Sequence, residues 1–299
     1  MKAVIIGANS YIARNMLKFP RPEALSDLVL CDIHPRHMDG APGYRQIDFS
    51  DPAALGAVVA GADVIYFFTG MTGTLRGFQE PETFLTVNEG LLLRLLDALK
   101  ASGSKARVVF PSTRLVYQGG DKSLDEDAPK AFLTPYAIQK YACEQYLQMY
   151  QRLYGVGYCV LRICVPYGTL AEPVSSYGTA DFFLRDARDK GQITVYGDGA
   201  QRRSFTYIGD LAAVLWQAGD TRRLPDGVYN VGGEDLSIAQ AAECIARVFG
   251  AKLNFVPWPP EALALESGST VFDSRRLDGC LGLSPKMTLA RWAETLAKL

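Results

Sequence analysis

KAVIIGANSYIARNMLKF, residues 2–19, reads as a strand, a tight turn and a helix. The run from Lys2 to Ile6 is apolar, Gly7 punctuates it, and a helix-patterned segment follows that stops before Pro20. That succession opens a dinucleotide-binding unit, in which backbone N–H groups at a helix N-terminus receive a pyrophosphate. Against a G-x-x-G-x-x-G pattern only Gly7 is present. Ser10 and Ala13 stand at the two later places, both small enough for close backbone approach.

The next strand-like run, LVLCD, ends at Asp32, 25 positions after Gly7. An acid there accepts from a ribose 2′-hydroxyl and repels a 2′-phosphate, so NAD is favoured over NADP. His34, Arg36 and His37 lie just beyond, and a basic side chain folding back keeps NADP open. His34 and His37 are the only histidines, and two histidines without neighbouring ligands of suitable spacing read as loop residues, so no metal is expected.

Working outward, YRQIDF, DVIYFFTG, RVVFPS and GYCVLRICV are further strand-like runs separated by helical patterns, and Ser50-Asp51-Pro52 has the form of a capped helix start. The alternation predicts an α/β chain with a doubly wound parallel sheet. After Gly168 the rhythm breaks into a Ser/Gly/Pro-rich loop, and the part from about 233 onward reads as helix, strand and helix. The expected domains are residues 1–168, with a return segment at about 205–232, and a smaller substrate-binding cap from 169–204 and 233–299.

At 299 residues and 48% apolar content the chain can bury a large core, and a net charge of −1 with pI near 6.2 argues against nucleic acid or anionic membranes as partners. Six cysteines without C-x-x-C or metal spacing, and no signal peptide, point to a cytoplasmic setting.

In TPYAIQKYACEQY, residues 134–146, Tyr136 and Lys140 share one helix face. An ammonium beside a phenol favours the phenolate, so Lys140 is expected to pull Tyr136 below its ordinary value of about 10. Tyr136 is therefore a candidate proton-transfer group.

With these residues in hand, the chain resembles the extended short-chain dehydrogenase/reductase family, of the NAD-dependent nucleotide-sugar epimerase and dehydratase type, along essentially its full length. The resemblance is carried by GANSYIA, Asp32, DVIYFF, VNEG (87–90), PSTRLVY (111–117), YAIQK, LRICVPYG, VYGDGAQRRSFTYIGD (195–210) and VYNVGG (228–233), taken in order. It implies a Rossmann-type fold and a catalytic set of Thr113, Tyr136 and Lys140. It implies that Asp48 and Phe49 contact the adenine, that Phe67 and Thr69 flank the pyrophosphate and ribose, and that Asn88 is a buried asparagine of the active-site helix. Gly7, Ser10, Tyr11, Ile12, Pro111 and Pro166 complete the cofactor set. Arg203 matches the arginine that clamps a nucleotide diphosphate, and Val165 stands among the substrate contacts where relatives often present an asparagine.

Departures narrow the chemistry. The dehydratases and decarboxylases of this family carry a carboxylate soon after the catalytic Ser/Thr, whereas Arg114 and Leu115 follow Thr113, which leaves 4-epimerisation or 4-keto reduction. Arg114 is expected to be a salt-bridged structural residue. An inactive dinucleotide-binding sensor is a further reading, against which the complete Thr113, Tyr136 and Lys140 set argues; a hydrolase lacks a histidine near any serine. Residues 84–101 and 136–154 carry more apolar surface than one helix face needs, and in related epimerases these two helices form a dimer contact, so a homodimer is expected.

Overall fold

Seven parallel strands, in the order β10-β6-β5-β4-β1-β2-β3, form the central sheet of the computed structural model, which describes residues 1–171, 178–282 and 286–296. Along the chain they are β1 (Lys2–Ile6), β2 (Asp27–Asp32), β3 (Tyr44–Gln46), β4 (Val64–Phe67), β5 (Arg107–Thr113), β6 (Tyr158–Ile163) and β10 (Gly227–Asn230). The residues of β1, β2, β4, β5 and β6 are nearly all buried, as strands covered on both faces must be, which is why they appear in the sequence as near-continuous apolar runs. Two apolar clusters, one on each face of the sheet, form its core.

Local signals set the helices. Asp51 caps Pro52–Val59 by accepting from the Ala53 amide at 2.9 Å, with Pro52 in the first turn. Thr134 caps the long helix Pro135–Tyr154 by accepting from Ala137 N, and Gly155 ends it with φ 69°. The YRQIDF run is shorter than its pattern implied: only Tyr44–Gln46 pairs with β2 at the sheet edge, and Ile47 turns inward to the core.

The remaining strands are β7 (Val165–Tyr167), β8 (Gln192–Tyr196), β9 (Arg202–Tyr207), β11 (Glu234–Ser237) and β12 (Lys252–Val256). They make a three-stranded sheet, β11-β9-β7, and a parallel pair, β12-β8, which share a third apolar core with the helices Gly178–Lys190 and Ile238–Phe249. β9 runs across position 205, and β7 ends just before 168, the two positions at which the sequence divided sheet from cap; both strands pair in the smaller sheet. The second half of the Ser/Gly/Pro-rich loop, 172–177, lies outside the described residues.

Reversal of strand order falls between β1 and β4, whose connections leave toward opposite sides. Ligands bind at such a switch point, outside the carboxyl ends of the strands.

Candidate active site

A cavity of about 300 Å³ opens at the carboxyl ends of β1, β4 and β5. Three segments separated widely in sequence line it: Ser10–Ile12 at a helix N-terminus, Phe68–Gly70 after β4, and Pro111–Thr113 at the end of β5. Tyr136 and Lys140, one helical turn apart, complete the wall, with Pro166 opposite.

Gly7 makes the first turn possible. Its φ of 82° lies in the left-handed region, and a Cβ there would come within 2.7 Å of the Thr69 amide nitrogen. The N–H groups of Gly7 and Ala8 both donate to the Cys31 carbonyl, at 2.9 and 3.0 Å, so the groups facing an anion belong to the start of the helix Tyr11–Lys18. Ser10 caps that helix by accepting from Ala13 N, and the Tyr11 hydroxyl donates to Gly168 O at 2.6 Å.

Lys140 is buried, and its Nζ donates to Pro111 O at 2.9 Å while lying 4.3 Å from the Phe110 ring centroid and 5.9 Å from that of Tyr136. Burial pushes its ammonium down to about 8. Below this pair, Glu144 is fully buried on the same helix and accepts from Ser112 Oγ at 2.5 Å and from Arg162 through both of its oxygens, at 3.0 and 2.6 Å. The strand that ends in Thr113 is thereby fastened to the helix that carries Tyr136 and Lys140.

Two polar groups fit a dinucleotide. Thr69 Oγ1 is buried at the cavity wall with no hydrogen-bond partner among the described residues, an atom a bound ligand would satisfy. Asp32 ends β2 with its carboxylate held by the Asn9 and Ile33 amides, at 2.9 and 2.8 Å, a fixed acceptor for a ribose hydroxyl. His37 pins the loop after β2 in place, since its Nε2 donates to Ala8 O at 3.2 Å while Nδ1 accepts from the Asp39 and Ala41 amides. No cluster of three or more potential metal-ligating side chains gathers among the described residues.

Several sequence assignments change. Phe67 packs into the sheet core, stacked on Phe110 at 6.4 Å, and it is Phe68 that lines the cavity, because the alternation along β4 puts Val64, Tyr66 and Phe68 on one face of the sheet and Ile65 and Phe67 on the other. Phe49 is likewise a core residue against the helix Pro52–Val59, while Asp48 beside it is exposed. Val165 is buried in the cap core, and its neighbours Cys164 and Pro166 face the cavity instead. Asn88 is buried but props rather than lines: in a π-helical turn, Thr86–Gly90, its Oδ1 accepts from Met71 N at 2.7 Å and its Nδ2 donates to Gln139 at 2.9 Å. Gly70, Thr72, Ser112, Ile163 and Cys164 are wall residues that the sequence did not single out.

A second cavity of about 300 Å³ lies beside the first, lined by Arg114, Gln201, Arg203, Glu266 and an aromatic wall that includes Tyr196 and Trp258, whose ring centroids are 5.3 Å apart. Gln201 Oε1 is a buried acceptor without a partner among the described residues. Arg203 is 2% exposed and occupied: it donates to Glu266 Oε1 and Gly268 O, each at 2.5 Å, and to Arg202 O at 2.9 Å. Arg114 makes no ion pair among the described residues and donates to Ser267 Oγ at 3.1 Å, so the salt bridge expected of it belongs to Arg203 instead.

Residues 3–232 match the model of the NAD dependent epimerase/dehydratase family. A UDP-glucuronate 4-epimerase of Thermodesulfobacterium geofontis is 29% identical over 222 residues, covering 71% of this chain and 67% of that protein. A putative UDP-glucose 4-epimerase of Methanocaldococcus jannaschii is 31% identical over 147 residues, so the match spans about half of each chain. Among solved structures, a Thermus thermophilus UDP-glucose 4-epimerase complex with NAD superposes with a TM-score of 0.84 at 21% identity, covering 100% of this chain and 98% of that one. A UDP-N-acetylglucosamine 4-epimerase from Methanobrevibacter ruminantium gives 0.83 at 21% identity, covering 99% and 97%. At those identities the likeness is one of fold.

Proposed function

The chain belongs to the NAD-dependent epimerase/dehydratase family, and from that premise we propose that it is a nucleotide-sugar epimerase that uses NAD and acts at C4 of the sugar through a transient 4-keto intermediate. The observation that carries the reading is the meeting of Thr113, Tyr136 and Lys140 in one cavity with the helix N-terminus at Ser10–Ile12.

NAD, when bound, supplies a hydride acceptor that can return what it takes. Asp32 would hold the adenosine ribose, the turn at Ser10–Ile12 the pyrophosphate, and Lys140 the second ribose. Tyr136 takes the proton from the sugar hydroxyl and gives it back after the keto group has presented its other face; Thr113 hydrogen-bonds the same oxygen and keeps it in line. Lys140, anchored on Pro111 O, holds a positive charge against the tyrosine ring. The second cavity suits a nucleotide, with an aromatic wall for the base and a cationic side at Arg114 for an anionic group.

Loss of water or carbon dioxide from neighbouring carbons needs a further acid or base. Among the described residues, the only carboxylate lining either cavity is Glu266, which is already paired with Arg203. This supports epimerisation over dehydration among the family's reactions.

The same reading includes a homodimer and a cytoplasmic setting. Leu85, Ile138, Met149 and Leu153 are large apolar side chains exposed on the paired segments, and all six cysteines are free thiols.

The test is to denature the purified protein, identify the dinucleotide released, and offer UDP-, GDP-, dTDP- and CDP-sugars without added cofactor. Retained NAD with interconversion of 4-epimers is expected. An empty protein that consumes NADH or NADPH only with a 4-keto sugar would replace the proposal with a reductase.

A further inference from the structure

Among the described residues, the second cavity holds two guanidinium groups and one carboxylate. Glu266 is committed to Arg203 at 2.5 Å and also accepts from the Gly268 amide at 3.0 Å, so its charge is spent on the arginine that the sequence assigned to the substrate. Arg203 in turn has three short acceptors, two of them backbone carbonyls, which makes it the tie that fixes residues 266–268 to β9.

Arg114 is in the opposite condition. It follows Thr113 directly, at the start of a short 3₁₀ turn (Arg114–Val116) that Thr113 Oγ1 caps by accepting from Leu115 N at 3.2 Å. Its guanidinium lines the cavity with five N–H donors, yet its one hydrogen bond among the described residues goes to the neutral hydroxyl of Ser267. Burial, together with the charge of Arg203, pushes its guanidinium down to about 10, which still leaves it cationic at neutral pH. The Glu266 charge opposes that shift only in part, because the carboxylate is paired with Arg203, and a partly buried cation without a direct ion pair among the described residues is unfavourable until an anion arrives. The Cys164 thiol, which lines the first cavity, feels the charges of both arginines, so the two cavities meet at this point.

We propose that Arg114, and not Arg203, is the anion-binding residue of the site, and that it takes an oxyanion of the substrate, a sugar carboxylate or a phosphate, next to Thr113. This rests on the nucleotide-sugar reading above and deepens it. Arg203 keeps the cavity wall in place, and Arg114 meets the ligand.

The experiment measures binding of UDP, a neutral UDP-hexose and a UDP-hexuronate to the NAD-loaded protein by calorimetry, for wild type, Arg114→Gln, Arg114→Lys and Ser267→Ala. Removing a charged hydrogen-bond partner should weaken binding about 10- to 100-fold in Arg114→Gln. Lysine should restore part of it, because the charge returns without the fork. A loss confined to the hexuronate assigns the oxyanion to the sugar carboxylate. A loss shared by all three ligands, with NAD content unchanged, assigns it to the diphosphate, and both support the proposal. Wild-type affinity in Arg114→Gln overturns it, as does an equal loss in Ser267→Ala, which would mean that Arg114 acts by holding the 266–268 segment. If wild type binds NAD and none of the three ligands, the nucleotide-sugar reading falls with it.

Discussion

Lys140 Nζ donates a 2.9 Å hydrogen bond to the carbonyl of Pro111, two residues before Thr113 on the same strand. One ammonium therefore ties the helix that carries Tyr136 to the strand that carries Thr113. It has two further donors to offer a ligand.

In the proposed reaction Tyr136→Phe removes the proton carrier and keeps the ring. We expect kcat for 4-epimer interconversion to fall about 10²- to 10⁴-fold, with bound NAD and melting temperature unchanged. Activity within a few-fold of wild type would mean that another group moves the proton.

Lys140 titrates near 8, lowered by burial from an ordinary value of 10.5. It is cationic below that pH and neutral above it, so kcat should decline as pH rises through about 8 if its charge activates Tyr136. The stability effect has the opposite sign. Between about 8 and 10.5 the unfolded chain holds the proton that the folded chain has released, so the stability of NAD-free wild type relative to Lys140→Met should rise across that window. A pH–rate profile beside denaturant titrations at the same pH values checks both, and an activity that climbs steadily to pH 10 contradicts the first.

Asn88→Ala leaves the Met71 amide and the Gln139 side chain without their partner. A loss of about 1–3 kcal/mol is expected, with a raised KM or dissociation constant for NAD because the Gly70–Thr72 segment is no longer held. Urea denaturation and NAD titration read the two effects separately.

Glu144→Gln breaks a fully buried, doubly bonded pair with Arg162 and the bond from Ser112. Leaving that arginine uncompensated should destabilise the fold by about 3–5 kcal/mol, seen as a clear drop in melting temperature. A change near zero would mean that water takes the place of the carboxylate.

Light scattering at micromolar concentration should give twice the chain mass of 32.7 kDa. Leu153→Asp, at an apolar position 69% exposed on the helix Pro135–Tyr154, should shift the mass toward monomer. A monomeric wild type removes the dimer from the proposal.

Much of the fold was legible because its signals are local. The strands at 2–6, 27–32, 64–67, 107–113 and 158–163 are covered on both faces, so their apolar character survives in the sequence without knowledge of their neighbours. The cap at Asp51 and the Tyr136–Lys140 spacing are also short-range. What failed depended on parity or on distant partners. Phe67 and Val165 were each one residue from the side chain that faces the cavity, because alternation separates the two faces of a strand without saying which of them meets the cavity. The pairing of Arg203 with Glu266, and the absence of such a partner for Arg114, are set by a loop more than sixty residues away, which no spacing rule reaches.

The bond from the Tyr11 hydroxyl to the Gly168 carbonyl spans 157 residues of chain. Closing a loop of that length carries a large entropic penalty, so such a contact forms after the shorter-range pairing of β1 with β2 and β4. In kinetic terms the rim of this cavity is expected to be among the later features to assemble. A newly made chain is expected to pair β1 with β2 and β4 before the two ends of the site meet.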